Sequence, residues 1–258
     1  MEWLRGVGMK AGQHFLVDRG IAERIAGYAD ISPGDRVLEI GPGRGSLTEF
    51  LAARAGRVYA IEADPELARY VEDMFPNVEV IQGDALRVDL PEYNKVVSNL
   101  PYHISTKITL RLLRNPFDLM VLMYQREFVE RMLASPGTRD YGRLSVNVSY
   151  YANVEILETV PRSAFRPMPH VSSSVVRLRP RADREQVDES MFSAISRDLF
   201  TKRRKKVKNA LASIGVSDDV MLDLDPAILD ARPEDLGVDE FVRIARAVSE
   251  HQSRNPLR

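Results

Sequence analysis

The sequence predicts an α/β fold, a largely parallel sheet covered by helices on both faces, followed by a small all-helical domain. Two patterns carry this expectation. From Arg36 to Tyr124 short apolar runs alternate with segments of helical period, and the runs end in glycine or polar turn residues. After Gln186 apolar residues recur only at helical spacing: Met191, Ile195 and Leu199; Val207, Leu211 and Ile214; Phe241, Ile244, Ala245 and Val248. Parallel sheets bind ligands beyond the carboxyl ends of their strands. The residues just past each strand are therefore the ones to read for chemistry.

Taken in order, residues 1 to 12 mix Gly, Lys and Arg and read as a mobile arm. Gln13-His14-Phe15-Leu16 is an isolated half-apolar stretch. Asp18 is a helix N-cap for a face made by Ile21, Ile25 and Ala29. Arg36 to Ile40 is a short strand ending in Gly41-Pro42-Gly43-Arg44-Gly45, and a helix follows through Leu47, Phe50, Leu51 and Ala55. Val58 to Glu62 and Val78 to Gln82 are strands around a helix that opens at Pro65, a favoured first helical position. Lys95 to Ser98 and Leu119 to Tyr124 continue the sheet, and Val154 to Val160 and Val175 to Leu178 close it. Pro180 to Gln186 is charged and poor in apolar residues, so the domain boundary is expected there, with domains at 1–180 and 181–258.

Composition narrows the function. A chain of 258 residues can bury a real core. The absence of cysteine excludes disulfides, thiolate metal sites and cysteine nucleophiles. His14, His103, His170 and His251 lack zinc-ligand spacing, so no metal is expected. No apolar run reaches the length of a membrane span and no signal-peptide core is visible, which makes a cytoplasmic enzyme or binding protein without membrane contact the expectation; a monomer is expected. A net charge of −1 argues against a protein that simply coats nucleic acid. That average hides a segregation. Residues 197–208 carry seven bases against Asp198, and residues 217–240 carry nine acids against Arg232.

Chemistry concentrates at four strand ends. Val96 to Tyr102 ends a strand in Asn99-Leu100-Pro101-Tyr102: an amide acceptor, a stiff proline and a flat aromatic face. Such a group can hold an aminated planar base, although an ordinary strand-to-helix turn would read the same in isolation. The glycine turn departs from the dinucleotide pattern, because Ser46 stands where its last glycine would be. Glu39, Gly41, Gly43 and Gly45 instead match the Glu-x-Gly-x-Gly-x-Gly loop of S-adenosylmethionine-dependent methyltransferases. Glu62 lies where an acid accepts from ribose hydroxyls, and Asp84 where one could accept from an adenine amino group.

With these residues in view the chain resembles the small-subunit ribosomal RNA adenine N6,N6-dimethyltransferases. Gln13 to Leu16, Glu39 to Gly45, Glu62, Gly83-Asp84-Ala85 and Asn99 to Tyr102 match that family's motifs in order. So do Tyr141 to Ser145, Ser163 to Val171, Phe200 to Lys205 and Arg232 to Leu236. The resemblance implies a Rossmann-like methyltransferase sheet beside a small C-terminal helical domain that binds RNA or the ribosome. It implies S-adenosyl-L-methionine as cofactor, held by Gln13, His14, Leu16, Gly41, Gly43, Gly45, Glu62, Ala63, Asp84, Ala85 and Asn99. It also implies catalysis by Asn99, Leu100, Pro101, Tyr102 and Phe165 on two adjacent adenosines near the 3′ end of the RNA, within an immature small subunit.

In that scheme the Asn99 and Leu100 carbonyls accept from the adenine N6 amino group. Tyr102 and Phe165 stack on opposite faces of the extruded base. From the residues alone Phe165 reads equally well as a core aromatic beside a proline-stiffened loop. Lys202, Arg203, Arg204, Lys205, Lys206 and Lys208 are the expected RNA-binding ridge. Three rival readings remain at this point: a large-subunit ribosomal RNA methyltransferase, a non-catalytic nucleic-acid-binding factor on the same fold, and a DNA adenine methyltransferase.

Overall fold

The chain enters at a two-residue strand, β1 (Phe15–Leu16), and turns into helix α1 (Arg19–Gly27) in a computed structural model that describes residues 13–254. The expected mobile arm, residues 1 to 12, lies outside the described residues. Asp18 caps α1 by accepting from the Ile21 N–H at 3.1 Å, which gives a partner to one of the orphan amides of the first turn. Strands and helices then alternate: β2 (Arg36–Ile40), α2 (Thr48–Ala52), β3 (Arg57–Glu62), α3 (Pro65–Met74) and β4 (Val78–Gln82). β5 (Lys95–Asn99), α4 (Ser105–Leu112), β6 (Leu119–Gln125) and α5 (Arg126–Met132) follow. α6 (Arg143–Tyr151), β7 (Ala152–Val160), the short β8 (Phe165–Arg166) and β9 (Ser173–Pro180) come next.

The sheet runs β4-β3-β2-β5-β6-β9-β7, and β1 pairs separately with β8. From β4 to β6 neighbouring strands are parallel, whereas β9 is antiparallel to β6. A strand buried on both faces must be apolar throughout. β6 meets that demand with Leu119 to Tyr124, all of them buried. Chain order reverses at β2, with β3 on one side and β5 on the other, and this opens a crevice beyond their carboxyl ends. The opposite ends of the strands are clamped by Asn94. Its amide nitrogen donates to Asp35 at 2.7 Å and to Asp118 at 3.0 Å, and its oxygen accepts from the Arg36 N–H at 2.8 Å.

The described residues form two compact units, divided differently from the single boundary expected after residue 180. The sheet, with its helices, comprises the residues through Val129 together with Val154–Pro180. The second unit takes Glu130–Asn153 as well as the residues from Arg181 onward. Here α6 packs against α7 (Glu189–Phe200) and α11 (Val238–Arg254). The Tyr150 ring lies 4.2 Å from that of Phe192, and the Tyr141 hydroxyl donates to the Leu236 carbonyl at 2.6 Å. The intervening helices are α8 (Val207–Ser213), α9 (Asp218–Leu222) and α10 (Pro226–Asp230). Periodicity marks α6 as a helix but cannot say which core its apolar face joins.

Candidate active site

A cavity of about 610 Å³ occupies the crevice at the carboxyl ends of the parallel strands. Its floor is the glycine loop after β2. Gly41 and Gly43 have φ of +68° and +58°, a region where a β-carbon is strained. Space is equally restrictive. A β-carbon on Gly41 would stand 3.1 Å from Cγ of Pro101, and one on Gly43 would stand 3.0 Å from Cδ1 of Phe15. The loop is thus held between β1 and the Asn99 to Tyr102 turn, and only bare backbone fits.

Glu62, Glu39 and Asp84 are three of the four acids that line the cavity, beside Asp64. Glu62, buried at the end of β3, accepts from the Gly43 N–H at 3.1 Å and the Asp64 N–H at 3.0 Å. Burial raises its pKa, while those two amides oppose the rise. A carboxylate has about four acceptor positions, so Glu62 keeps capacity to receive hydroxyl groups in the cavity. Glu39 is buried at the end of β2, takes a 2.7 Å hydrogen bond from the Thr48 hydroxyl, and is pushed by burial up to about 8. Near neutral pH it holds its proton. Asp84 is exposed, and its Oδ1 accepts from the Leu86 N–H at 2.9 Å, which shapes the turn after β4.

On the other side of the switch point, β5 delivers Asn99. The parallel pairing of β2 with β5 brings the glycine loop and the Asn99 turn side by side. Buried Ser98 reinforces that pairing, since its hydroxyl donates to the Ile40 carbonyl at 2.6 Å. Among the described residues the Asn99 side chain has no protein hydrogen-bond partner, so its acceptor is left to the cavity. Pro101 starts a single 3₁₀ turn, Tyr102–Ile104, that leads into α4. The Tyr102 hydroxyl lies 2.9 Å from that of Ser173, and its ring centroid is 5.9 Å from that of His14.

The Gln13 to Leu16 stretch closes the remaining side. Phe15 pairs with Arg166 and Leu16 with Phe165, while the Ser46 hydroxyl donates to the Leu16 carbonyl at 2.6 Å. His14 Nδ1 is 2.8 Å from the Pro167 carbonyl, which can only accept, so that nitrogen carries the proton. The Arg44 guanidinium lies 5.0 Å from the Phe15 ring centroid.

Of the residues expected at the site, the cavity gathers Gln13, His14, Leu16, Gly41, Gly43, Glu62, Ala63, Asp84, Ala85 and Asn99 to Tyr102. Two of the expected residues lie away from the cavity wall. Gly45 does not line the cavity; with φ of +77° it turns the chain into α2, where a β-carbon would stand 2.4 Å from the Phe75 ring. Phe165 has no exposed face in this structure. It is fully buried in the core with Leu16, Ile25 and Val175, and contributes through β8, whose backbone anchors β1. Sequence reasoning passed over Arg44, Asp64 and Ile104 as cavity walls. Asp64 had a signal, since an acid before Pro65 caps a helix; Arg44 and Ile104 had none.

A model of the family described as ribosomal RNA adenine dimethylase matches residues 8–248. The chain belongs to that family. Similar proteins named probable ribosomal RNA small subunit methyltransferase A include the following two. The one from Methanosarcina mazei is 44% identical over 98% of each chain. The one from Methanothermobacter thermautotrophicus is 45% identical over 96% of this chain and 95% of its own. Among solved structures, a dimethyladenosine transferase from Plasmodium falciparum has a TM-score of 0.76 at 29% identity, covering 89% of this chain and 95% of that one. The 23S rRNA methyltransferase ErmE has a TM-score of 0.64 at 30% identity, covering 91% and 99%.

In the helical unit of this dimethylase-family chain, the expected cationic ridge is divided by acids. Lys206 and Lys208 both pair with Asp230, at 3.0 Å and 2.9 Å. Arg203 pairs with Glu234 at 2.8 Å and also donates to the Arg139 carbonyl. Lys202, Arg204 and Lys205 have no ion pair among the described residues. Part of the acidic stretch therefore has a structural task, which is to order its basic neighbour.

Proposed function

We propose that this chain transfers methyl groups from S-adenosyl-L-methionine to the N6 atoms of two adjacent adenosines near the 3′ end of small-subunit ribosomal RNA, as a step in ribosome biogenesis. One observation carries the reading: the Asn99 amide, without a hydrogen-bond partner among the described residues, and the Tyr102 ring share a cavity with the glycine loop and Glu62. The residues present fit the cofactor. The glycine cradle has positive φ and would crowd a β-carbon, Glu62 keeps acceptor capacity for ribose hydroxyls, and Asp84 and Ala85 form a wall suited to adenine. When bound, the cofactor supplies an electrophilic methyl on sulfur.

The chain's own work is then positioning. The N6 lone pair of adenine is delocalised into the ring and is a poor nucleophile. The Asn99 side-chain oxygen and the Leu100 carbonyl accept the two N6 hydrogens, which favours a tetrahedral nitrogen with its lone pair turned outward. With the cofactor bound, the nitrogen held by Asn99 and Leu100 would take its methyl group and give up one N6 proton to solvent. A monomethylated nitrogen still offers one N–H to Asn99, so a second transfer is served by the same acceptors. Tyr102 stacks on the base, a contact typically worth ~1–3 kcal/mol. Lys202, Arg204 and Lys205 in the helical unit contact phosphates.

Higher identity to relatives named for the small subunit than to ErmE supports the small-subunit substrate over the large one. The test is transfer of labelled methyl to unmethylated immature small subunits, with large subunits and naked DNA in parallel. Dimethyladenosine on small-subunit RNA alone is the expected result. Label on large subunits, or none anywhere with cofactor bound, would overturn it.

A further inference from the structure

The hydroxyl of Tyr102 takes no part in the scheme above, yet it is held. Among the described residues its one hydrogen-bond partner is the Ser173 hydroxyl, at 2.9 Å. Ser173 opens β9 opposite Gln125 and has no solvent exposure. Val175 and Val176, which follow it in the strand, are core residues. A polar side chain in such a place needs a hydrogen-bond partner, and Tyr102 meets that need from a separate element of the fold.

The consequence for Tyr102 is mechanical. It sits in a one-turn 3₁₀ segment with no side-chain cap, so its backbone alone does not fix the ring. His14 contacts the ring at an interplanar angle of 33°, and Ser173 fixes the opposite end, the hydroxyl tip. With the tip tied to a sheet strand, rotation about Cα–Cβ would break the hydrogen bond. The ring is then presented as a fixed plane at the cavity wall.

We propose that Ser173 is a positioning residue for methyl transfer: by holding the Tyr102 hydroxyl it fixes the plane on which the target base stacks. This rests on Tyr102 being the stacking residue. The hydroxyl of Tyr102 serves Ser173, and the ring face serves the base, so the two functions of one side chain are separable by mutation.

The experiment measures kcat and KM for small-subunit substrate and for S-adenosylmethionine, with the melting temperature of each variant. The set is Ser173→Ala, Ser173→Thr, Tyr102→Phe, Tyr102→Ala and the Ser173→Ala/Tyr102→Phe pair. Ser173→Ala and Tyr102→Phe should each lower kcat about 2–10-fold, the equivalent of one neutral hydrogen bond, with KM for S-adenosylmethionine unchanged. The double variant should be no slower than either single, because both remove the same bond. Ser173→Thr should restore the rate. Additive losses, or equal impairment by Ser173→Ala and Ser173→Thr, would mean that packing matters and the hydroxyl does not. Should Ser173→Ala fail to fold, a fully active Tyr102→Phe would overturn the proposal by itself. Tyr102→Ala separates the two ideas. If it keeps full activity the stacking reading fails, whereas its loss beside unimpaired Ser173→Ala and Tyr102→Phe refutes only the role of Ser173.

Discussion

Gly41 and Pro101 meet across the paired strands β2 and β5, so closely that a β-carbon on the glycine would stand 3.1 Å from the proline ring. This contact joins the glycine loop to the Asn99 turn, so a change at Gly41 should be felt at both. Gly41→Ala meets backbone strain at φ +68° and Pro101 at 3.1 Å. Gly137→Ala meets similar strain at φ +80° but no neighbour within 4 Å. We expect Gly41→Ala to weaken S-adenosylmethionine binding in calorimetry and to slow transfer. Gly137→Ala should reduce melting temperature alone. Equal cofactor affinity in both variants would remove the contact from consideration.

Asn99→Ala deletes an acceptor without touching the glycine cradle. Removal of one preorganised polar group in a reacting site typically reduces kcat by ~10²–10³-fold. Transfer to small-subunit RNA should fall by that order while cofactor affinity stays near that of the parent. A parallel loss of cofactor binding would show that Asn99 also holds the cofactor, the second role its resemblance implies.

Glu39 predicts a pH dependence of stability. Its pKa is raised from 4.5 in the unfolded chain to about 8 in the fold. The fold therefore binds this proton more tightly than the unfolded chain, and stability is lost as pH rises between those values. The sign is fixed: the contribution is complete below the lower value and gone above the upper. Relative to Glu39→Gln, the parent's melting temperature should fall across that window and level off at higher pH. A difference that does not change with pH would show that Glu39 is ionised throughout.

Phe165 separates core packing from base stacking. Phe165→Ala opens a cavity among Leu16, Ile25 and Val175, and such truncations cost about 3–5 kcal/mol. Chemical denaturation should show that loss, whereas Phe165→Leu should keep most of the stability and most of the kcat. A Leu variant of normal stability but negligible kcat would restore the stacking role that the burial of Phe165 argues against.

The divided basic ridge makes a prediction about salt. Replacing Lys202, Arg204 and Lys205 by Ala should flatten the plot of log affinity against log salt, by about 0.7–0.9 per lost phosphate contact. Asp230→Asn should act the other way, since it releases Lys206 and Lys208. If filter binding shows the same slope for parent and triple variant, RNA contacts a different surface.

The sequence by itself determined the strand-helix alternation, the α/β class and the chemistry at the strand ends, because those properties are local. A strand's apolar run, a proline at the first turn of α3 and glycines at positive φ are written in neighbouring residues. The Gly41 and Asn99 segments could be named from sequence for the same reason. Only the tertiary structure decided that they adjoin, since that depends on β2 pairing with β5 over a gap the sequence does not mark. It also decided that Phe165 faces the core and not the cavity, that α6 joins the helical unit, and that Asp230 occupies two of the expected RNA-binding lysines. In each case the deciding quantity is a contact between distant residues, and one residue type serves several partners equally well. A phenylalanine is apolar in a core or against a base, and a lysine is a cation toward phosphate or carboxylate. Which partner it meets is set by the packing of the whole chain.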